Sequence, residues 1–316
     1  MKKESRIFVA GGRGLAGSAI VRRLKREGYV NISAPSHEEL ELMNQDAVHA
    51  YFHENRPECV VLAAGKVGGI HANKTYPAEF IYQNLTIQNN IIHESWRQKV
   101  ASLIFLGSSC IYPGSCNQPI REEYFMTGPL EPTNSSYALA KIAGVEMCWA
   151  YNRQYGTRFI PVMPTNLYGP NDNFDLETSH VLSALIRKFY EAKKDNTGEV
   201  VVWGTGTPKR EFLHVDDLAD ACLFLLESGI LENCGDSPLF NIGTGKEISI
   251  RDLAKMIRKH AGFEGNIVFD HSKPDGTMRK ILDVSRMDRL GWQPGIKLEN
   301  GIKATYQWFL NNISKE

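Results

Sequence analysis

The sequence predicts an α/β fold, a doubly wound parallel sheet followed by a smaller C-terminal lobe. Three observations lead there. The apolar run Ile7-Phe8-Val9-Ala10 precedes a glycine-rich loop at residues 11–17, and a helix-like segment follows at 18–24. Residues 60–64 and 101–106 are near-continuous apolar runs, the pattern of strands buried on both faces. Helical stretches separate these runs, clearest at 84–98 and 137–155, and that alternation puts helices on both sides of a parallel sheet. The second half is more broken. It has shorter apolar stretches at 159–163, 200–203 and 239–242, and helices are expected over 179–193, 215–227 and 250–261. Residues 1–165 are therefore expected to form the core half. Residues 166–316 should form mainly the smaller lobe, with some chain crossing back into the core.

The bulk composition excludes several classes. Acidic and basic residues balance at 36 each, which leaves no global electrostatic argument for nucleic acid or a membrane surface. Residues 1–6 run straight into the first strand without an apolar signal segment, and no apolar run approaches a membrane span. Six cysteines, at 59, 110, 116, 148, 222 and 234, lack paired metal-ligand spacing and read as reduced thiols. His214 with Asp216 and Asp217 looks like a ligand cluster, but Asp residues there also suit the start of a helix. A cytoplasmic protein without a metal is expected.

The loop carries Gly11, Gly12, Arg13, Gly14, Leu15, Ala16 and Gly17. Gly11, Gly14 and Gly17 fit G-x-x-G-x-x-G, in which glycines allow a tight turn, close backbone approach to a pyrophosphate and tight helix packing. Tyr137 and Lys141 lie four residues apart, on one face of a helix. A phenol titrates near pH ~10 in isolation, and a neighbouring ammonium is expected to lower that value. The Tyr can then exchange a proton with a carbonyl or alcohol oxygen. Alone, this spacing is more often a solvated face. Upstream, the strand 103–107 ends in Ser108-Ser109-Cys110.

A Ser at a strand end, a downstream Tyr and its Lys, behind such a loop, resemble the Rossmann-type short-chain dehydrogenase/reductase superfamily. The closer resemblance is to its extended branch, which acts on nucleotide sugars. The segments at 105–113, 164–170, 203–208, 210–217 and 273–276 are similar to the GDP-L-fucose synthase family nearly end to end. Cys110 and the Lys-Pro-Asp-Gly segment at 273–276 are the more specific of these signals.

The cofactor expectation is NADP(H). An NAD-preferring fold usually places Asp or Glu near the end of its second strand. Here residues 30–37 carry no carboxylate before Glu38. Arg13 is placed to meet a 2′-phosphate, with Ser36 and His37 adding hydrogen bonds, although Arg13 also reads as a solvated loop residue. The family commonly has Arg where this chain has His37. The resemblance adds Leu106, Gly107, Ser108, Lys141, Pro164, Thr165, Asn166, Leu167 and His180 to the cofactor contacts.

The resemblance implies a bifunctional enzyme that epimerises GDP-4-keto-6-deoxy-D-mannose at C3 and C5, then reduces C4 with NADPH. Tyr137 would supply the proton, Ser108 would hold the oxygen, and Lys141 would bind the nicotinamide ribose. Cys110, two residues past Ser108, is a candidate base, and by the resemblance His180 is its acid partner. Without it, Cys110 reads as a packed thiol and His180 as a helix start. Lys188, Trp203, Arg210 and Asp275 are expected at the GDP moiety, Lys188 standing where the family commonly has Arg. The alternatives are a C4 reductase alone, or a relative acting on another GDP-4-keto-6-deoxy sugar such as a heptose. A non-catalytic dinucleotide sensor is a further possibility, but it would have no need of Ser108, Tyr137 and Lys141 together. The resemblance also implies a homodimer, paired through the helices at 84–98 and 137–155 as a four-helix bundle.

Overall fold

The computed structural model describes residues 1–230, 235–273 and 275–313. Cys234 and Pro274, the latter in the Lys-Pro-Asp-Gly segment, lie outside the described residues. The first half runs β1 (Ile7–Ala10), α1 (Leu15–Arg26), β2 (Ile32–Ser33), α2 (Gln45–Asn55), β3 (Cys59–Leu62), α3 (Ile70–Thr75) and α4 (Pro77–Arg97). It continues with β4 (Ser102–Leu106), α5 (Ser135–Tyr155) and β5 (Phe159–Pro164). The second half contains β6 (Asn166–Tyr168), α6 (Val181–Lys194), β7 (Glu199–Trp203), β8 (Lys209–His214), α7 (Val215–Glu227) and β9 (Phe240–Ile242). After it come β10 (Glu247–Ser249), α8 (Ile250–Ala261), β11 (Asn266–Asp270), β12 (Arg279–Lys280), α9 (Ser285–Leu290) and α10 (Leu298–Asn312).

Six strands form one parallel sheet in the order β2-β1-β3-β4-β5-β9. The continuous apolar runs are explained by its two covered faces. Ile104 and Leu106 of β4 enter the core shared with α1 and α7, while Leu103 and Phe105 enter the core shared with α2, α4 and α5. Burying such a side chain stabilises by roughly 1.5–3 kcal/mol, so each strand ties two helical layers together. The doubly wound expectation holds. Because β2 and β3 flank β1 on opposite sides, the sheet has its topological switch point where β1 and β3 end, and there Gly11 meets Ala64.

The lobe is organised around β8. It pairs in parallel with β6 and β12 and antiparallel with β10, while β7 and β11 form a separate pair. A third apolar core lies among α6, α8 and α10. Parts of the second half join the large sheet: β9 extends its edge, and α7 packs on α1.

Local chemistry sets several boundaries. The helix expected at 84–98 begins earlier, because Pro77 sits in its first turn and Phe80 is buried. Its apolar residues also divide. Ile91 and Ile92 pack inward with Val145 of α5, whereas Tyr82, Leu139 and Tyr155 stay exposed. His214 caps α7, its Nδ1 accepting the Asp216 N–H at 3.2 Å, and Asp217 accepts the Gly295 and Ile296 N–H groups. The helix-start reading of that segment is thus borne out.

Candidate active site

The glycine loop wraps the end of β1 against α1. Gly11 has φ +80°, a conformation that strains any residue with a Cβ, and a Cβ on Gly17 would lie 2.1 Å from the Gly11 carbonyl oxygen. Gly14 is the N-cap of α1, and the first turn of that helix has no acidic residue. The loop therefore presents backbone N–H groups and a positive helix end without obstruction, a cradle fitted to a pyrophosphate.

β4 ends at Leu106, and Ser108 follows Gly107 in extended conformation as the cap of a short turn through Cys110. Its Oγ accepts the Cys110 N–H at 3.4 Å, and the Ser108 side chain eases both the Tyr137 phenol and the Cys110 thiol downward against burial. Tyr137 projects from the first turn of α5, with the Phe80 ring edge-on at 6.0 Å. Lys141 is buried one turn on, its Nζ donating to the Leu106 carbonyl at 2.9 Å and lying 4.9 Å from the Phe105 ring centre. The strand-end Ser and the helical Tyr–Lys pair are therefore brought together.

One electrostatic expectation is corrected. Burial, followed by the nearby Cys110, pushes the Tyr137 phenol well above its ordinary value; the ammonium does not lower it. Lys141 is itself pulled down to about 8 by burial, and its Nζ is engaged by the Leu106 carbonyl. At neutral pH Tyr137 holds its proton, which suits a group that gives one up to a developing alkoxide. Burial likewise raises the Cys110 thiol, opposed by the charges of Lys280 and Lys141.

His180 is the N-cap of α6. It is exposed, yet desolvation, reinforced by the charge of Lys280, holds it below its ordinary value. Gly69 fixes the loop that carries it. The Gly69 N–H donates to the Thr178 carbonyl at 2.9 Å, and a Cβ there would meet the Ser179 carbonyl oxygen at 2.9 Å. The charge of Lys280 acts on both Cys110 and His180.

Lys280 was not anticipated. It belongs to the two-residue strand β12, in register with Arg210 of β8, and no periodicity marks so short a strand. Glu211 anchors this corner from below. Its fully buried carboxylate accepts N–H bonds from Thr244 at 2.5 Å, Gly245 at 2.8 Å and Leu282 at 2.9 Å. Its carbonyl accepts from Thr165 Oγ1 and Asn166 Nδ2, which ties the end of β5 to β8.

The remaining expected residues are distributed as follows. Pro164 ends β5, and Leu167 packs on the core beneath. Trp203 is 58 % exposed, with Lys188 Nζ at 5.2 Å and Lys273 Nζ at 5.5 Å from its ring centre. Lys188 also donates to the Val201 carbonyl at 3.0 Å. Arg210 Nη1 donates to the Lys209 carbonyl at 2.8 Å, and the guanidinium lies beside Gly276. Asp275 accepts from Thr205 N–H at 2.9 Å and Thr205 Oγ1 at 2.7 Å, so it braces the turn after Trp203. Beside the glycine loop, Arg13 pairs with Glu39, a carboxylate not expected there from the sequence, and His37 pairs with Glu41. Among the described residues no group of three or more His, Cys, Asp or Glu side chains is arranged to hold a metal. No helix among them is long and apolar enough to cross a membrane.

Comparison with known proteins agrees with this geometry. Residues 7–243 match the model of the NAD dependent epimerase/dehydratase family. The chain is 55% identical over 313 residues to GDP-L-fucose synthase 1 of Arabidopsis thaliana, covering 98% of this chain and 95% of that one. It is 53% identical over 315 residues to the GDP-L-fucose synthase of Escherichia coli strain K12, covering 98% of each. Among solved structures, a GDP-mannoheptose C4 reductase from Campylobacter jejuni with NADP bound superposes with a TM-score of 0.91 at 41% identity, covering 98% of this chain and 99% of that one. On this agreement the chain belongs to the NAD dependent epimerase/dehydratase family, the extended short-chain dehydrogenase/reductases, and within it to the GDP-L-fucose synthase group.

Proposed function

We propose that this protein is an NADP-dependent oxidoreductase with epimerase activity, which converts GDP-4-keto-6-deoxy-D-mannose to GDP-L-fucose. The observation that carries the proposal is that the end of β4, which leads into Ser108 and Cys110, is joined to the helix that bears Tyr137 and Lys141, Lys141 Nζ donating to the Leu106 carbonyl at 2.9 Å. Two proton-transfer groups with different tasks, Cys110 and Tyr137, are thereby carried by adjoining elements. The full-length similarity to GDP-L-fucose synthases supports the same reading.

In the proposed chemistry, Ser108 and Tyr137 hydrogen-bond the C4 oxygen and polarise the ketone, which makes the C3 and C5 hydrogens acidic. At each position in turn, Cys110 removes the hydrogen as a proton and His180 delivers a proton to the opposite face. NADPH, when bound, supplies the hydride that reduces C4. Tyr137 gives its proton to the resulting alkoxide, and Lys141 keeps the nicotinamide ribose in place. Gly11, Gly14 and Gly17 would cradle the pyrophosphate, with Arg13 and Ser36 at the adenosine ribose. Arg210 and Lys188 are assigned to the GDP phosphates and Trp203 to packing on the nucleotide. Residues 1–165 serve mainly the cofactor and 166–316 mainly the GDP-sugar.

The test incubates the protein with GDP-4-keto-6-deoxy-D-mannose, with and without NADPH, and identifies products by NMR. GDP-L-fucose is expected with NADPH. A C4-reduced product with unchanged C3 and C5 would restrict the activity to reduction, and turnover of only a longer keto sugar would move the substrate to a heptose.

We also propose a cytoplasmic homodimer. The exposed Tyr82 of α4 and Leu139 and Tyr155 of α5 support pairing of these helices across a two-fold axis. Light scattering at micromolar concentration should give twice the 35.5 kDa chain mass. Tyr82→Arg combined with Leu139→Arg should return the monomer, and a monomeric wild type would overturn the assignment.

A further inference from the structure

The adenosine-ribose corner holds a carboxylate that the cofactor assignment leaves without a role. Arg13 leaves the glycine loop and its Nη2 meets Glu39 Oε2 at 3.1 Å. The same oxygen accepts the Ser36 N–H at 2.6 Å, while Ser36 Oγ accepts the Glu39 N–H at 3.2 Å. This reciprocal pair of bonds closes a turn and fixes Glu39 in it, just after β2. Gly12 holds the loop against that segment, since a Cβ on it would lie 2.5 Å from the Ala34 Cβ. His37 is directed away from the pair, to Glu41 at 3.1 Å. Arg13 and Glu39 side chains are 67% and 61% exposed, so a ligand can reach both.

A 2′-phosphate at this corner needs a guanidinium and a backbone N–H, and both are already taken by one carboxylate. A phosphomonoester dianion is repelled by that carboxylate and must displace it. A 2′-hydroxyl, by contrast, can donate a hydrogen bond to it. We propose that Glu39 is a specificity-determining residue that competes with the 2′-phosphate for Arg13 and the Ser36 N–H, and so narrows the preference for NADP(H) over NAD(H). The bonds from Ser36, with Arg13 behind them, keep Glu39 below the usual carboxylate range, so the competing charge is present at neutral pH. The inference rests on the dinucleotide assignment above and adds to it a residue that limits the preference for NADP(H).

The test is a titration of the intact protein with NADPH and with NADH, followed by quenching of its tryptophan fluorescence. Glu39→Gln keeps an oxygen for the Ser36 N–H and removes only the charge. It should raise the ratio of the NADH to the NADPH dissociation constant roughly tenfold, as expected when a like charge and a competitor for Arg13 are lost together in a partly solvated site. Glu38→Gln removes the same charge one residue away and should change the ratio by less than about twofold, because exposed charges are screened. In an Arg13→Ala background the gain from Glu39→Gln should shrink, showing that the two residues act on one contact. An unchanged ratio in Glu39→Gln would overturn the inference. So would a fall in the ratio, which would make Glu39 a brace that presents Arg13 to the phosphate. If the wild type bound neither dinucleotide, the cofactor assignment itself would fail, an outcome distinct from both.

Discussion

Tyr137→Phe is expected to lower the rate of NADPH oxidation with the keto sugar by about 10²–10⁴-fold, the usual loss when a positioned general acid is removed. The substitution keeps the ring that packs against Phe80 and removes only the hydroxyl beside Ser108. Cofactor affinity should therefore stay within a few-fold of wild type. A variant that oxidised NADPH nearly as fast as the wild type would take the proton from some other group and would remove Tyr137 from the chemistry. The same protein offers a pH test. Lys141 is held down to about 8 by burial, so it is charged below that value and neutral above it. NADPH affinity should then decline as pH rises through about 8. A flat binding profile across that value would separate Lys141 from the ribose.

The second large effect separates proton transfer from hydride transfer. Without NADPH, the wild type incubated with the keto sugar in D₂O should take deuterium into C3 and C5, because that exchange needs only a base and a polarised ketone. Cys110→Ser replaces the thiol with a hydroxyl that is a far poorer base near neutrality, and exchange should fall by about 10²–10⁴-fold. Tyr137→Phe should still exchange, with Ser108 left to polarise the ketone, while scarcely reducing it. His180→Asn should allow some exchange yet leave little fully epimerised sugar. If Cys110→Ser exchanged both positions at the wild-type rate, Cys110 would be a packed thiol and the activity would contract to reduction.

The core was legible because its signals are local. β1 and β3 are apolar throughout, and β4 after Ser102, since both faces of the sheet are covered, and the loop rich in glycine follows β1 directly. Helix geometry put Tyr137 and Lys141 on one face, while Ser108 joined them through the resemblance to the short-chain dehydrogenase/reductases. The lobe was less legible. β12 is two residues long and exists only through its register with β8, so neither it nor the charge Lys280 exerts on Cys110 has a periodic signature. Glu39 was passed over for a related reason. The rule applied to the end of the second strand looks for an adjacent carboxylate, whereas here a turn of the chain carries one back to Arg13. The sign of the Tyr137 shift depended on burial, which the Tyr–Lys spacing does not encode.

The order of strands has a consequence for biosynthesis. β9 at residues 240–242 completes the large parallel sheet, and α7 at 215–227 covers α1. A nascent chain that has emerged only through β6 therefore has every glycine of the phosphate cradle but an open edge at β5 and an uncovered apolar face on α1. That edge presents Val162, Met163 and Pro164 where β9 would pair, and an unpaired strand beside bare apolar surface invites intermolecular association. Stable dinucleotide capture should consequently wait until translation has passed residue 242. A ribosome-stalled series would show protease resistance of the first half arriving together with that strand, well after its own residues have been made.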